Sequence, residues 1–455
     1  MLFEIVKSVG IAHKSYIIGK DGQAAVIDPR RDVDIYLDLA SANNMKITHI
    51  FETHRNEDYI IGSLELANVT GAEIYHGCKM DFYYGNSVYD GDIFKIGKLE
   101  LEVLETPGHT HESISISVTD KSVSEDPYMV FTGDALFAGE VGRTDFFGES
   151  KTPEMAEMLY NSLYEKILPL GDNVIVCPAH GAGSVCGADL RDQDLTTVGY
   201  EKKTNPSLQL SLDEFIKNKK EEKLYIPPYF KFMEINNQHG PHILERLPYC
   251  QPLNTMEVKK LIKKGAQLID IRKPTSFGCA HIPQTINIWR EGFSAFIGYF
   301  LNYDDPIVIV DDNEGYIEDI TRQLIRLGFD NVYGYLAGGF PSWYMSAQKV
   351  EKLDMWSVHE LKDVLDSDED IFLLDVRKID DYEKMRIKDS YHFWVGHLIQ
   401  HLDEIPKNKK VVVYCDSGYK STIASSILKS NGYTQVSSVL GSMAAWLKAD
   451  YPVEK

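Results

Sequence analysis

The sequence predicts an α/β protein of several domains, and three observations lead to that prediction. The chain has 455 residues, which is too many for one hydrophobic core. Apolar runs of strand length alternate with helical stretches along most of the chain. The C-terminal part contains an ordered set of segments that occurs twice.

The repeated segments are of three kinds, and they follow each other in the same order in both copies. The first is an apolar strand ending in Asp-x-Arg, the second is a buried-strand run followed by a turn with Gly, and the third is a stretch ending in Trp. The first kind begins at Ala266 in one copy and at Ile371 in the other, and the second kind begins at Pro306 and at Lys410. The third kind ends at Trp343 and at Trp446. A repeat of whole domains predicts two small, doubly wound α/β domains with parallel sheets.

The N-terminal region has a different organisation. Short strands come early, and helices such as "DIYLDLASANN" lie between them. A charged stretch, "KNKKEEK", is followed by one that is rich in proline and aromatic residues. We therefore expect an N-terminal domain at 1–252, followed by domains at 253–350 and 351–455.

The charge balance and the cysteines restrict the possible partners and the compartment. The formal net charge of −21 makes the chain repel phosphate backbones and anionic lipid. No apolar run approaches the roughly 20 residues of a membrane-spanning helix, and the N-terminus lacks a signal-peptide pattern. The six cysteines show no C-x-x-C spacing, which argues against a disulfide framework or a structural zinc site. We expect a cytoplasmic protein that binds neither nucleic acid nor membranes.

Four apolar runs of the N-terminal domain each lead to a residue that can bind a metal ion. These residues are His54, His109, Asp134 and His180. In each case the strand stops at a turn containing Gly, Pro, Ala or Thr, and the candidate ligand lies just beyond it. Sites in α/β folds gather at strand ends, since loops converge there while the sheet stays rigid. A single histidine of this kind is usually structural, but four such residues in the same context predict a metal site.

The motifs "TH…D", "TPGHT", "FTGD" and "PAHG" resemble the ordered motifs of the metallo-β-lactamase superfamily. The resemblance covers most of the first 190 residues and implies an αβ/βα sandwich with a metal at one edge between the two sheets. The loop "FETHRNEDYIIGS" departs from the family pattern T-H-x-H-x-D-H. It keeps Thr53, His54 and Asp58 but has Asn56 and Tyr59 in place of two histidines.

The two missing histidines bear on which metal the site can hold. Hydrolases of the superfamily usually hold two zinc ions, but a second ion would have only Asp58, Asp134 and His180 in this chain. The first ion keeps His54, His109 and Asp134. Two imidazoles and one carboxylate suit non-haem Fe(II) and leave about three of six positions open. We expect one Fe(II) per chain, and the alternative is a loop that binds no metal.

The stretch "FTGDALFAGEVGRTDFFG" resembles persulfide dioxygenases, a branch of the superfamily that uses a single Fe(II). The resemblance implies that His54, His109 and Asp134 hold the iron, where a terminal persulfide sulfur meets O₂ and leaves as sulfite. It also implies that Asp58 and His180 hydrogen-bond near the iron without binding it.

Four further residues of this domain have two interpretations each. Arg143 either forms an ion pair with Asp145 or contacts substrate. Lys202 and Lys203 either receive an anionic thiol substrate or belong to a solvated face. Cys186, in "HGAGSVCG", either exchanges sulfur with a persulfide or is a small buried hydrophobic residue.

The last domain contains a second candidate site in "VVVYCDSGYKST". Cys415 is the first loop residue after a buried strand, and Gly418 permits a tight bend. Loop N–H groups, the N-terminus of the next helix and Lys420 would stabilise a thiolate or a persulfide anion. The loop resembles the active loop of rhodaneses, C-x-x-G-x-R/K. In the first repeat we expect Asp312 at the position of Cys415 and Ile317 at that of Lys420, which would make that copy catalytically silent.

The whole chain thus resembles a fusion of a persulfide dioxygenase with an inactive and an active rhodanese-like domain. The resemblance implies oxidation of a low-molecular-weight thiol persulfide to sulfite, coupled to thiosulfate formation or use at Cys415. The thiol and the direction of sulfur transfer stay open, and we expect a homo-oligomer. Two alternatives remain: a zinc-dependent, glyoxalase II-like thioester hydrolase fused to a sulfurtransferase, and a scaffold in which only Cys415 is active.

Overall fold

The computed structural model describes residues 1–185, 187, 190–222, 224–367 and 369–455. The chain folds into two compact units. The first unit consists of Met1–Leu247 and Ile325–Gly328, and the second of Pro248–Leu324 and Phe329–Lys455. Both units combine helices with sheets, so the predicted α/β class is confirmed.

Two six-stranded sheets form the centre of the first unit, and in each the strands lie side by side in chain order. The first sheet consists of β1 (Leu2–Ser8), β2 (His13–Lys20), β3 (Gln23–Ile27), β4 (Lys46–Glu52), β5 (Glu73–Gly77) and β6 (Asn86–Val88). The second consists of β7 (Ile93–Ile96), β8 (Leu99–Glu105), β9 (Ile114–Asp120), β10 (Met129–Gly133), β11 (Ile175–Pro178) and β12 (Thr196–Thr197). Strands β3 to β6 are parallel, and β10 is parallel to β11. The loops after β4, β10 and β11 therefore begin at the carboxyl ends of parallel strands.

Helices cover the outer faces of both sheets. They are α1 (Asp34–Ala42), α2 (Ser63–Thr70), α3 (Thr152–Ser162), α4 (Val198–Thr204) and α5 (Leu212–Glu221). A further helix, α6 (Phe230–His239), contacts the loop after β4. Tyr36 of α1 is buried in one cluster with Val26 of β3, and Leu159 of α3 belongs to the cluster on the outer face of the second sheet. Phe51 and Phe131 are buried together between the two sheets. Burying one such side chain contributes roughly 1.5–3 kcal/mol, so these layers hold the predicted αβ/βα sandwich together.

The second unit contains two five-stranded parallel sheets. The first sheet consists of β13 (Gln251–Leu253), β14 (Gln267–Asp270), β15 (Ile286–Asn287), β16 (Ile307–Val310) and β17 (Val332–Leu336). The second consists of β18 (Asp354–Trp356), β19 (Ile371–Asp375), β20 (Tyr391–His392), β21 (Lys410–Tyr414) and β22 (Val436–Val439). The spatial orders are β13-β17-β16-β14-β15 and β18-β22-β21-β19-β20, so the two sheets have the same topology. The sequence repeat therefore corresponds to a repeat of whole domains.

Helices connect the parallel strands in both copies, as parallel pairing requires. In the first copy they are α7 (Thr255–Ile262), α8 (Pro274–Cys279), α9 (Phe293–Ile297), α10 (Ile317–Arg326) and α11 (Gly339–Met345). In the second they are α12 (Val358–Asp366), α13 (Ile379–Lys384), α14 (Tyr419–Ser430) and α15 (Ser442–Lys448). No helix in the described part of the chain combines the length and the apolar character needed to span a membrane.

The strand registers show which residue of the first copy corresponds to Cys415. The Asp of each Asp-x-Arg segment pairs with the last residue of the neighbouring strand, which is Val310 in the first copy and Tyr414 in the second. The next residue is Asp311 in the first copy and Cys415 in the second. The expectation of Asp312 at this position is wrong by one residue. Two adjacent aspartates follow the strand, and sequence alone does not fix which of them is the first loop residue.

The same shift of one residue applies to the counterpart of Lys420. The next strands begin at Val332 and Val436, and both lie 21 residues after the first loop residue. The spacing from one strand to the next is therefore equal in the two copies, and Tyr316 corresponds to Lys420. The expectation of Ile317 is corrected accordingly. The first copy still lacks both a thiol and a cation at these two positions.

Candidate functional site

The loops at one edge of the first unit bring the predicted ligands together. His54 follows β4 by two residues, Asp134 follows β10 directly, and His180 follows β11 by two residues. His109 lies in the turn after β8. All four side chains are buried. Loops after three parallel-paired strands and one antiparallel strand, β8, therefore place four polar side chains in one dry region, as the sequence predicted.

Three donor atoms in this region are arranged as ligands of one ion. Oδ2 of Asp134 lies 3.4 Å from Nε2 of His109 and 3.8 Å from Nε2 of His54. One atom from each residue lies within 4.8 Å of the corresponding atoms of the other two. Within the described part of the chain, none of these three buried atoms has a hydrogen-bond partner. Buried polar atoms without partners are costly, so the group fits a bound divalent cation.

The opposite nitrogens of the two histidines are hydrogen-bonded, which leaves Nε2 of each ring for a metal. Nδ1 of His54 lies 2.9 Å from Oγ1 of Thr53, whose hydroxyl donates to Asp28 at 2.7 Å. Nδ1 of His109 donates to the carbonyl of Arg143 at 3.0 Å. Such contacts fix the tautomer and the orientation of a metal-binding imidazole.

A glycine of the "FTGD" motif permits this arrangement. Gly133 has φ +52°, and a Cβ atom there would lie 2.6 Å from Oγ1 of Thr53. A larger residue would therefore displace the hydroxyl that orients His54. The motif thus provides two features in succession: the close approach of the backbone at Gly133, and the candidate ligand Asp134 at the next position.

His180 lies between two carboxylates. Its Nδ1 is 2.7 Å from Oδ1 of Asp134, and its Nε2 is 3.0 Å from Oδ2 of Asp58. Burial alone would lower the pKa of His180, but Asp134 and Asp58 outweigh burial and raise this pKa well above its ordinary value. Burial would likewise raise the pKa of Asp134, but His180 and His54 hold that pKa far below its usual range. The Asp134 carboxylate therefore stays ionised, with one oxygen bound to His180 and the other free.

The two residues that replace the family histidines each donate a hydrogen bond to a backbone carbonyl, and Oδ1 of Asn56 is buried without a partner among the described residues. Asn56 donates from Nδ2 to the carbonyl of His54 at 3.1 Å. Tyr59 donates its hydroxyl to the carbonyl of Asp28 at 3.2 Å. Its ring packs against the buried ring of His13, with 4.0 Å between centroids, and burial lowers the pKa of His13 well below its ordinary value. These contacts favour one ion over two.

Two residues near the candidate ligands were not singled out from the sequence. Glu57 is fully buried, and its Oε2 lies 3.7 Å from Nε2 of His109. Phe146 contacts the His109 ring edge to face, with 5.0 Å between centroids. Glu57 could have been noticed in the sequence, because it is an additional acidic residue in a candidate ligand loop that lacks two histidines of the family pattern. Phe146 lies in "GRTDFFG", where only the charged residues were considered.

The remaining predicted residues of this unit lie in different surroundings. Arg143 is buried and forms a two-pronged ion pair with Asp145, with both contacts at 2.7 Å. Its third nitrogen donates to two backbone carbonyls, so the geometry favours a structural role over substrate contact. Lys202 pairs with Asp172 at 2.7 Å, and Lys203 is exposed on the same helix, α4. Cys186 lies outside the described residues.

The second candidate site is the loop between β21 and α14. The Cys415 side chain is buried, and the N–H of Gly418 donates to its Sγ at 3.2 Å. Gly418 has φ +97°, so glycine is required for this bend. Helix α14 begins at the next residue, and its N-terminus favours negative charge in the loop. Lys420 pairs with Asp416 at 2.5 Å, so its cation acts on the loop together with that carboxylate.

The comparisons with known proteins match three stretches of the chain. Residues 10–180 match the Metallo-beta-lactamase superfamily, and residues 254–346 and 357–449 each match the Rhodanese-like domain. Persulfide dioxygenase ETHE1, mitochondrial, of Bos taurus is 32% identical over 215 residues, which cover 45% of this chain and 74% of that protein. Hydroxyacylglutathione hydrolase GloC of Haemophilus influenzae is 27% identical over 232 residues, which cover 46% of this chain and 98% of that protein.

One solved structure is similar over more of the chain. It is the crystal structure of a metallo-beta-lactamase from Staphylococcus aureus subsp. aureus COL, with a TM-score of 0.66 and 31% identity. The similarity covers 74% of this chain and 99% of that chain. It therefore extends beyond the residues that match the metallo-beta-lactamase superfamily.

The sandwich fold, with candidate metal ligands in the loops at one edge, defines an enzyme of the metallo-β-lactamase superfamily. Within it, the chain belongs to the persulfide dioxygenase family and carries two rhodanese-like domains after its dioxygenase-like domain.

Proposed function

We propose that the N-terminal domain oxidises a low-molecular-weight thiol persulfide to sulfite with O₂. One Fe(II) would be held by His54, His109 and Asp134, whose three donor atoms lie together, buried and without hydrogen-bond partners in the described ranges of the chain. That observation carries the proposal. When bound, the ion would supply open coordination positions at which a persulfide sulfur and O₂ can meet. The overall reaction balances as RSSH + O₂ + H₂O → RSH + SO₃²⁻ + 2H⁺.

The chain's own residues would hold and shield this site. His180 fixes one oxygen of Asp134 and leaves the other free, with Asp58 on the opposite side of the imidazole. Phe146 packs on His109, and Phe230 lies beyond it with 5.8 Å between the two phenyl centroids. This apolar wall limits access of water to one side of the ligands, so a reactive sulfur species would be sheltered there.

The experiment that tests the proposal is anaerobic reconstitution followed by substrate oxidation. Purified protein is loaded with Fe(II), its metal content is measured, and O₂ uptake and sulfite are followed after addition of glutathione persulfide or coenzyme A persulfide. We expect one iron per chain and one sulfite per O₂ consumed. Protein that binds iron but consumes no O₂ with either persulfide would contradict the dioxygenase function.

A second candidate function is hydrolysis of a thioester by a zinc site. The similarity to a hydroxyacylglutathione hydrolase over 98% of that protein's length favours it. The arrangement of Tyr59 argues against it, because its hydroxyl donates to the carbonyl of Asp28 and does not replace a lost histidine ligand. Two zinc ions per chain together with release of thiol from S-lactoylglutathione would support the hydrolase and exclude the dioxygenase.

We further propose that Cys415 transfers sulfane sulfur. The Cys415 thiolate attacks the outer sulfur of thiosulfate, the S–S bond breaks, and sulfite leaves with the bonding pair. The resulting Cys415 persulfide gives its outer sulfur to an attacking thiolate and returns to the thiolate. The same steps in reverse form thiosulfate from persulfide and sulfite. The Gly418 N–H and the N-terminus of α14 support the anion formed on the sulfur.

A further inference from the structure

Glu57 is an additional acidic group beside the candidate metal ligands. It lies in the loop between β4 and α2, and its side chain is fully buried. Its Oε2 is 3.7 Å from Nε2 of His109 and has no hydrogen-bond partner among the residues that the structure describes. The separations from Asp134 to His109 and to His54 are 3.4 and 3.8 Å, so Glu57 approaches His109 as closely as the ligands approach one another.

The other oxygen of Glu57 is held in place by Arg55. One guanidinium nitrogen of Arg55 lies 3.3 Å from Oε1 of Glu57 and 3.3 Å from Oε1 of Glu234. The backbone N–H of Arg55 donates to Glu112 at 2.9 Å. Arg55 is therefore surrounded by three carboxylates and neutralises only one negative charge. It orients Glu57 but leaves Oε2 directed toward His109.

The charge of the proposed metal site gives a reason for a buried carboxylate at position 57. Two neutral imidazoles and Asp134 would leave a divalent ion with one uncompensated positive charge. Glu57 would bring the nearby charge to zero in a region from which water is excluded, where Coulombic attraction is stronger than in water. The family histidine replaced by Asn56 would be neutral, so its loss removes a donor but no charge.

We propose that Glu57 is a fourth residue of the metal site and stabilises the bound divalent ion through Oε2, compensating for the histidine missing at position 56. This inference rests on the proposed metal site formed by His54, His109 and Asp134. It assigns to Glu57 a role that Glu234 does not share. Both glutamates contact Arg55, but only Glu57 faces a candidate ligand.

The test measures metal affinity without turnover. Full-length wild type, Glu57→Gln and Glu234→Gln are titrated anaerobically with Co(II) in the presence of a competing chelator, and binding is followed by the visible absorption of the ion. We expect one Co(II) per chain in all three proteins. We expect Glu57→Gln to bind at least about tenfold more weakly than wild type, and Glu234→Gln to stay within about twofold, since an ionic contact to a buried cation is lost only in the first.

A second variant separates charge from folding. Glu57→Asp keeps the carboxylate, and we expect it to bind Co(II) more tightly than Glu57→Gln. Equal affinities of these two variants, or a Glu57→Gln affinity equal to that of wild type, would overturn the inference while leaving the proposed function intact. Wild type that binds no Co(II) or Fe(II) would overturn the proposed metal site as well.

Discussion

Nδ1 of His180 lies 2.7 Å from Oδ1 of Asp134. One oxygen of the Asp134 carboxylate is therefore hydrogen-bonded to His180, and the other faces the candidate metal position. His180 is therefore part of the site without being one of the three grouped donors. This relationship gives a direct prediction about the variant that removes it.

His180→Ala is expected to retain one metal ion per chain but to bind it about 10- to 100-fold more weakly, because Asp134 loses the contact that orients it. The measurement is an anaerobic Co(II) or Fe(II) titration. His239→Ala serves as the control, since His239 is exposed at the end of α6. Unchanged affinity in His180→Ala would show that this hydrogen bond does not support the metal site.

The two proposed activities are expected to be separable by single substitutions. His109→Ala should lower persulfide-dependent O₂ uptake by about 100-fold or more, because one of three ligands is lost. It should leave sulfur transfer from thiosulfate to a thiol near the wild-type rate. Cys415→Ser should give the opposite result, since a hydroxyl is a poor nucleophile toward sulfane sulfur. Loss of both activities in either variant, with the folded state retained, would argue against two independent sites.

Restoring the two missing histidines is expected to change the metal capacity. In Asn56→His combined with Tyr59→His, two imidazoles are added beside Asp58 and His180, and zinc binding should rise from one ion per chain to two. Asn56→His alone is the control and should bind one. Zinc content after dialysis gives the result. A double variant that still binds one ion would show that more than these two side chains prevents binuclear binding.

Glu52 is expected to make the first unit less stable as the pH rises. Burial raises the pKa of Glu52 to about 8 from 4.5, against the opposing hydrogen bond from the Tyr84 hydroxyl. Between these two values the folded state keeps a proton that the unfolded chain has lost, so the free energy of unfolding falls as pH rises through this window. The size of the effect is of the order of a few kcal/mol.

Glu52→Gln removes this titration and should show a smaller loss of stability between pH 5 and pH 8 than wild type. Hydrogen–deuterium exchange of the β4 amides, corrected for the intrinsic pH dependence of exchange, measures the change in local stability. Glu73→Gln is the matched control, because Glu73 is an exposed glutamate on the neighbouring strand β5. Equal slopes for wild type and Glu52→Gln would contradict the raised pKa.

The candidate ligands were predictable because the physical rule behind them is simple. Apolar strands followed by a turn and a histidine or aspartate place those side chains at one sheet edge, and the structure brings His54, His109 and Asp134 together there. The repeat was predictable for a similar reason, since buried parallel strands read as continuous apolar runs. Both features depend on local patterns that sequence records directly.

Other features depend on contacts between distant parts of the chain. His13 lies on β2 and packs on Tyr59, a contact that no local pattern encodes. Glu57 belongs to a loop whose side-chain directions are fixed by folding. The first loop residue of the first copy was misassigned because Asp311 and Asp312 are chemically identical and only strand register distinguishes them. The two interpretations of Arg143 could not be distinguished from the sequence, because the choice depends on how many of its N–H donors are bound to other protein groups.

The two sheets of the second unit have the same strand order. Only in the second sheet does a cysteine directly follow the strand that comes fourth along the chain. The apolar strands supply most of the packing energy of such a sheet, and the short loop at its carboxyl edge adds little. After a duplication, selection for folding would have preserved the strands of both copies, while selection for reactivity acted on the loop of one. The aspartate in the first copy thus shows that this scaffold folds without a thiol in the loop.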